Sequence, residues 1–417
     1  MAIRSISFSN FKSFSELSVT LRSFNVIIGS NAAGKSNFIQ AFRFLRDIAV
    51  HGLENAVAMQ GGFEYLLNGR IGIGKPLSFS VTYSPEYAGG YTVPGCGGQP
   101  VVIHPCESTY AFSLRFAENG TCTILRDELT IGCDFDGECG REPGSGPSAF
   151  HGNIRITNEN GTLRYAISVP EGITLPPGEI VPLFFRGGHI PATRLLLETP
   201  YALPIPQIDR LFDRIGIYDL DPKLPKKGIA IAGKCELEED GSNLALAVKR
   251  ILDDPEKRRT LANLIRDVFP FIEDLDVKKS MNVSWVLTLR ERYAREYDLP
   301  AFTLSDGTIS IFMLIIILYF EDRPFVFIEE PVGHIHPFLV TRVVSMMKEA
   351  AEKKQVMMTT HSVEAVKHTG LESILLISRD REGFSTISRP GDKEEVRTFL
   401  ENELGIEDLY LQNLLEF

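Results

Sequence analysis

"GSNAAGKSN", residues 29–37, stands between a continuous apolar run, "FNVII" at 24–28, and a stretch where Phe38, Ile39, Ala41, Phe42, Leu45 and Ile48 recur at spacings of three and four. The run reads as a strand buried on both faces; the spacing predicts an amphipathic helix from Lys35 to about Val50. The segment fits G-x-x-x-x-G-K-[ST] through Gly29, Ser30, Asn31, Ala32, Ala33, Gly34, Lys35 and Ser36, with Asn37 just beyond. Gly29 lets the chain leave the strand sharply, and Gly34 lets backbone N–H groups approach phosphate oxygens closely. Lys35 supplies a cation to β- and γ-phosphates, the Ser36 hydroxyl can ligate Mg²⁺, and the helix N-terminus adds partial positive charge. Ala32 and Ala33 remove no N–H, so the anion nest survives if both take the required backbone angles. The bland alternative is a chance glycine turn, against which the strand before and helix after both count.

Three further stretches carry chemistry. "FVFIEEP", 325–331, is an apolar strand ending in Glu329 and Glu330. Alternation along a strand gives the two carboxylates different tasks: one supporting a Mg²⁺ shell, the other orienting and deprotonating an attacking water. "LSDGT", 304–308, puts Ser305 and the N–H groups of Asp306 and Gly307 at the start of an apolar helix, a second anion-ready terminus. Two such starts in one chain suggest that the second serves a partner's nucleotide; alone, it reads as an ordinary serine cap. In "VMMTTHS", His361 ends an apolar strand and can hydrogen-bond a γ-phosphate or the lytic water. A lone histidine is more often structural.

The chain has 417 residues, 44% hydrophobic and 23% charged, which suits two or three folded units without low complexity. Its net charge of −11 argues against non-specific adhesion to nucleic acid and gives no independent support for DNA binding. The most apolar stretch, "ISIFMLIIILYF" at 309–320, falls short of the ~20 residues of a membrane span, so a buried helix is expected and no membrane association. Six cysteines without a regular framework, and a start lacking a signal-peptide core, suggest a reducing cytosol.

The order of elements is strand–loop–helix, a long insertion, a helical segment, then strand–helix–strand, which predicts an α/β nucleotide-binding core split by an insertion. Residues 1–60 and 301–417 form the two parts of that core. Residues 61–200, with runs such as "LSFSVTY" and "YAFSLRF", read as an inserted antiparallel β region; 201–300, with "SNLALAVKRIL" and "RRTLANLIRDVF", as a helical arm or lid.

The ordered set "GSNAAGKS", "LSDGT", "IEEPVGHIHP" and "TTHS" resembles the ABC-type ATPases of the SMC, RecF and overcoming-lysogenization (OLD) group, and more closely the compact stand-alone ATPases of bacteria and archaea termed AAA-family. "ISFSNFKSF", "GGFEYLLNG", "YDLDP", "EEDGSNLA" and "LGIEDLYLQNLL" extend the resemblance over most of the chain. It implies an ABC-type P-loop head with a mixed sheet, and a homodimer sandwiching two ATP with Mg²⁺. It also implies that Lys35 binds phosphate, Ser36 and Glu329 serve Mg²⁺, Glu330 is the catalytic base, His361 is the switch histidine, and Ser305-Asp306-Gly307 faces the partner's ATP. His336 falls in the loop crossing that interface. Such ATPases act in DNA repair or in defence against phage and plasmids, often with a separate nuclease. The alternatives are an ATP-gated scaffold that hardly hydrolyses and controls a protein partner, and the energy subunit of a transporter. This chain departs from the pattern at Ala32, at "PVGHIHP", and at Ile309-Ser310, where an arginine is frequent.

No sustained heptads and no C-x-x-C hook lie between Ser36 and Leu304, which excludes a long-armed tether. The stretch after His361 is too short for the nuclease domain of OLD-type relatives. Cys96, Cys106, Cys122, Cys133 and Cys139, near His104, match no common zinc spacing; a mixture of buried and loop thiols is the expectation, metal binding the alternative. Gln207 is the weak candidate for a glutamine loop. The tail "LGIEDLYLQNLLEF" is amphipathic and expected to pack on its own domain.

Overall fold

The structure is a computed structural model that describes residues 2–84, 90–94, 100–137, 150–169, 189–199, 211–230, 233–280, 284–293, 296–394, 396 and 410. The chain opens with β1 (Ala2–Phe11), β2 (Phe14–Thr20), β3 (Phe24–Ile28), α1 (Lys35–His51), α2 (Leu53–Met59) and α3 (Phe63–Leu66). Six strands follow: β4 (Leu77–Ser84), β5 (Tyr91–Pro94), β6 (Pro100–Phe116), β7 (Cys122–Gly137), β8 (Phe150–Glu159) and β9 (Thr162–Ser168). Next come β10 (Ile215–Asp219), β11 (Ile229–Ala230), α4 (Leu244–Leu252), α5 (Pro255–Val268), β12 (Ile272–Ser280), β13 (Ser284–Glu291), β14 (Asp298–Pro300) and α6 (Asp306–Tyr319). The last are β15 (Phe325–Glu329), α7 (Pro337–Ala350), β16 (Gln355–Thr359), α8 (Val363–Thr369), β17 (Ile374–Arg379) and β18 (Ser385–Ser388). The chain divides into two compact units: Met1–Leu21, Ala32–Arg214 and Ser378–Ile387; and Arg22–Asn31, Ile215–Ile377 and Ser388–Phe417.

The first unit is built on one antiparallel sheet in the order β2-β1-β4-β6-β7-β8-β9, with β5 also paired to β6. Period-2 patterning decides its faces. In β4, Leu77, Phe79, Val81 and Tyr83 are buried while the serines and threonine between them are half-buried. Phe8, Phe11, Phe14, Phe38, Phe44, Phe79 and Phe112 join the sheet to α1 through ring centroids 5.3–6.4 Å apart. Each such side chain contributes on the order of 2–3 kcal/mol by leaving water, and together they anchor the helix that begins at Lys35.

The second unit holds parallel strands in the order β10-β15-β16-β3-β17. β3 and β16 are buried at every residue, and β15 at all but Glu329, as a sheet covered on both faces requires. Every residue of α6 from Ile309 to Leu318 is buried. Its apolar surround comes from lying in the core; among the described residues no helix is long and apolar enough to cross a membrane. The stretch 201–300 contains α4 and α5, as its periodicity indicates, and also strands. β10 lies against β15, while β11, β13 and β12, with β14 on β13, form an antiparallel sheet. A strand whose partner lies more than a hundred residues away leaves no local period to read.

Candidate nucleotide site

Parallel pairing brings three strand ends to one edge of the second unit. Ile328 is in register with Met358, and Thr359 with Ile27; beyond them, the N–H of Thr360 donates to the carbonyl of Ile27 at 3.0 Å. The loop starting at Gly29, the acids Glu329 and Glu330, and His361 therefore leave the sheet side by side. At Gly29 a Cβ would lie 2.1 Å from the Ile377 carbonyl oxygen, so only glycine fits the exit from β3.

Glu330 has left the strand. Its φ of 42° lies in the left-handed region, so the alternation expected for the two acids stops at Glu329. The turn is held by its neighbours: the N–H of Glu330 donates to Thr359 Oγ1 at 3.1 Å, and the N–H of His361 donates to Glu330 Oε2 at 3.2 Å. The His361 ring places Nε2 3.7 Å from Glu330 Oε1. That Oε1 is screened from solvent and, among the described residues, has no hydrogen-bond partner. A buried carboxylate oxygen left in this way is suited to accept a proton from a substrate water. Glu329 closes β15 in register with Asp219 of β10, a third carboxylate at the same edge, which lies in the quoted "YDLDP".

In the first unit the loop continues through Ala32, with φ 61°, and Gly34, with φ 121°, into α1. No side chain caps that helix, and its first turn holds no acid, so its leading N–H groups suit an anion; Lys35 and Ser36 are its first two residues. A Cβ on Gly34 would lie 2.3 Å from Ser385 Oγ, which explains the glycine at this position. Asn37 turns the other way, its side-chain amide donating to Ser13 Oγ at 2.8 Å. Ser385 Oγ donates to the Ala33 carbonyl at 2.5 Å, and Arg379 donates twice to the Ala32 carbonyl, at 3.1 and 2.9 Å. Ser13 lies in the quoted "ISFSNFKSF"; nothing in the sequence signals Arg379 or Ser385.

Ser305 caps α6, its Oγ accepting from the Thr308 N–H at 3.1 Å. Asp306 pairs with Lys226 at 2.5 Å, and that ammonium holds its carboxyl below the usual range. His336 caps α7, Nδ1 accepting from the Phe338 N–H at 3.3 Å.

Gln207, Cys96 and Cys139 lie outside the described residues, as does the tail apart from Tyr410, which packs on the core of the second unit. Among the described residues no group of three or more His, Cys, Asp or Glu side chains is arranged to hold a metal. Cys106, Cys122 and Cys133 are free thiols; burial pushes Cys122 up to about 11 and Cys133 to about 12, and raises Cys106 too.

Comparison with known families finds two matches. Residues 1–62 match a family described as AAA ATPase domain, and residues 213–367 one described as AAA domain, putative AbiEii toxin, Type IV TA system. No curated protein sequence matches. Among solved structures, an SmcHead bound to the C-winged helix domain of ScpA is similar at 14% identity and a TM-score of 0.43, covering 93% of this chain and 98% of that one. The SMC head domain from Thermotoga maritima follows at 12% identity and TM-score 0.40, covering 93% and 99%. An Smc head with an extended coiled coil, bound to the C-terminal domain of ScpA derived from Pyrococcus furiosus, stands at 14% and 0.38, covering 93% and 95%.

Proposed function

We propose that this chain, which carries AAA-type ATPase domain sequence at residues 1–62 and 213–367, hydrolyses ATP with Mg²⁺ and closes as a homodimer around two ATP molecules. The observation that carries the reading is Glu330: an acid at the carboxyl end of β15, with one oxygen accepting the N–H of His361 and the other buried, 3.7 Å from the His361 ring and without a hydrogen bond among the described residues. In this reading Glu330 takes the proton of the attacking water, and the ring of His361 steadies that carboxylate and the water. Lys35 and the N–H groups of Ser30, Asn31, Ala32, Ala33, Gly34 and Ser36 bind the phosphates. Ser36 and Glu329 would hold Mg²⁺, which would supply charge neutralisation at the β- and γ-phosphates. Ser305, Asp306 and Gly307 of the second copy close over the γ-phosphate. Glu330→Gln should accumulate an ATP-bound dimer, measured by light scattering after size exclusion. A variant that stays monomeric at saturating ATP sinks the sandwich.

The cellular role we infer is DNA repair or defence against phage and plasmids in the cytosol, through a separate nuclease or other effector. The match of residues 213–367 to a family described as putative AbiEii toxin, Type IV TA system, supports the defence role. A second reading is an ATP-gated scaffold with little turnover. Single-turnover phosphate release separates the two: a burst stoichiometric with enzyme supports the hydrolase.

A further inference from the structure

We propose that Arg379 and Ser385 are positioning residues of the phosphate loop: by holding the carbonyls of Ala32 and Ala33, they aim the N–H groups of Ala33 and Gly34 at the bound phosphates. The proposal rests on the nucleotide reading above and adds residues that the loop motif does not contain.

In a trans peptide the C=O and the following N–H point in opposite directions. Arg379 fixes the Ala32 carbonyl with Nε at 3.1 Å and Nη2 at 2.9 Å, and so sets the direction of the Ala33 N–H. Ser385 Oγ, 2.5 Å from the Ala33 carbonyl, does the same for the N–H of Gly34. Two successive N–H groups turned to one side make the concavity that anions occupy. The arrangement answers the departure at position 32. Ala32 sits at φ 61°, where a side chain is disfavoured, and the two guanidinium hydrogen bonds offset that cost.

Both holding groups are themselves held. Arg379 Nη1 donates to the Gly383 carbonyl at 2.7 Å, within a tight turn where Asp380 Oδ1 accepts from the N–H groups of Glu382 and Phe384 at 3.0 and 2.8 Å. Arg70 donates to the Glu382 carbonyl and lies over the Phe384 ring at 5.6 Å, tying the turn to the segment after α3. Ser385 Oγ lies 2.8 Å from Ser13 Oγ, which accepts from Asn37 at 2.8 Å, and the Ser385 N–H donates to the Ser13 carbonyl at 2.9 Å. The loop is therefore shaped from the β1–β2 turn, α1 and the β17–β18 turn at once.

The test uses the full chain and compares wild type with Arg379→Ala, Arg379→Lys, Ser385→Ala and the double variant Arg379→Ala with Ala32→Gly. Two quantities are read: amide exchange of residues 32–34 without nucleotide, and affinity for a fluorescent ATP analogue. Arg379→Ala should speed exchange at Ala33 and Gly34 and weaken binding by about tenfold. Arg379→Lys should fall between. Adding Ala32→Gly should restore part of the affinity, because glycine takes the left-handed conformation unaided, and general destabilisation would show no such rescue. Exchange and affinity within about twofold of wild type in both Arg379→Ala and Ser385→Ala would overturn the proposal. Should Arg379→Ala not fold, Ser385→Ala and Arg379→Lys carry the same comparison. A wild-type protein that binds no ATP overturns the nucleotide reading instead, while the exchange comparison still decides whether these side chains hold the loop.

Discussion

Thr359 Oγ1 accepts the backbone N–H of Glu330 at 3.1 Å and thereby joins the end of β16 to the first residue beyond β15. Thr359 is buried, so the bond is made out of water, and it supports a glutamate whose φ of 42° costs about 1–2 kcal/mol. The acid proposed as the base is thus set by a neighbouring strand.

Thr359→Val keeps the shape and removes the acceptor. The unpaired N–H should cost about 1–2 kcal/mol, seen as a lower melting temperature. ATP turnover should fall further than that loss explains, because Glu330 is no longer aimed. Turnover unchanged in a variant with lowered stability would show that the hydrogen bond serves the fold alone.

Lys35→Ala tests the phosphate loop directly. Loss of a charge-assisted contact should weaken ATP binding by about 10- to 100-fold. Isothermal titration reads the affinity, and circular dichroism should match wild type since Lys35 only begins α1. Undiminished affinity would remove Lys35 from the site.

Asp127 predicts a pH dependence. It is buried, accepting from Tyr110, Asn158 and the N–H of Leu196 at 2.9, 2.9 and 2.7 Å, and burial pushes its carboxyl up to about 6 against those hydrogen bonds. The folded chain holds this proton where the unfolded chain, near the ordinary aspartate value of about 3.8, has lost it. Stability should therefore decline by about 3 kcal/mol as pH rises from about 4 to above 6. Asp127→Asn can keep the same contacts with Tyr110 OH accepting, and denaturant titrations at several pH values should show a flatter profile for it. Equal profiles would refute the assignment.

Lys354 gives a trend of the opposite sign. Its Nζ donates to the carbonyls of Ile317 and Glu321 at 3.2 and 2.6 Å, satisfying the end of α6, and burial lowers it to about 8. Above that value the unfolded chain binds a proton that the folded chain has released, so stability rises with pH between about 8 and 10. Lys354→Met should melt at lower temperature near neutral pH and lose that rise. A parallel dependence in both proteins would assign it elsewhere.

Much of the site was legible because its signals are local. "FNVII" before "GSNAAGKS" and the three-four spacing after it identify β3 and α1, which the structure shows as a fully buried strand and the helix Lys35–His51. Ser305 before an apolar run marks the cap of α6. Asn37 is different: it follows the loop in sequence, yet its amide turns to Ser13. Strict alternation at Glu329 and Glu330 likewise gave way to a left-handed residue that no pattern of apolar spacing encodes.

By itself, the sequence determined that β3, β15 and β16 are buried strands and that α1, α6 and α7 are helices, because period and composition act over a few residues. It also determined that Lys35, Ser36, Glu329, Glu330 and His361 stand at their ends. Only the tertiary structure decided that β10 lies beside β15, that Thr359 holds Glu330, and that Arg379 and Ser385 hold the carbonyls of Ala32 and Ala33. Parallel pairing and side-chain bonds to backbone carbonyls join positions far apart in the chain. Such partners have no fixed spacing, and become visible only when the fold has brought them within hydrogen-bonding distance.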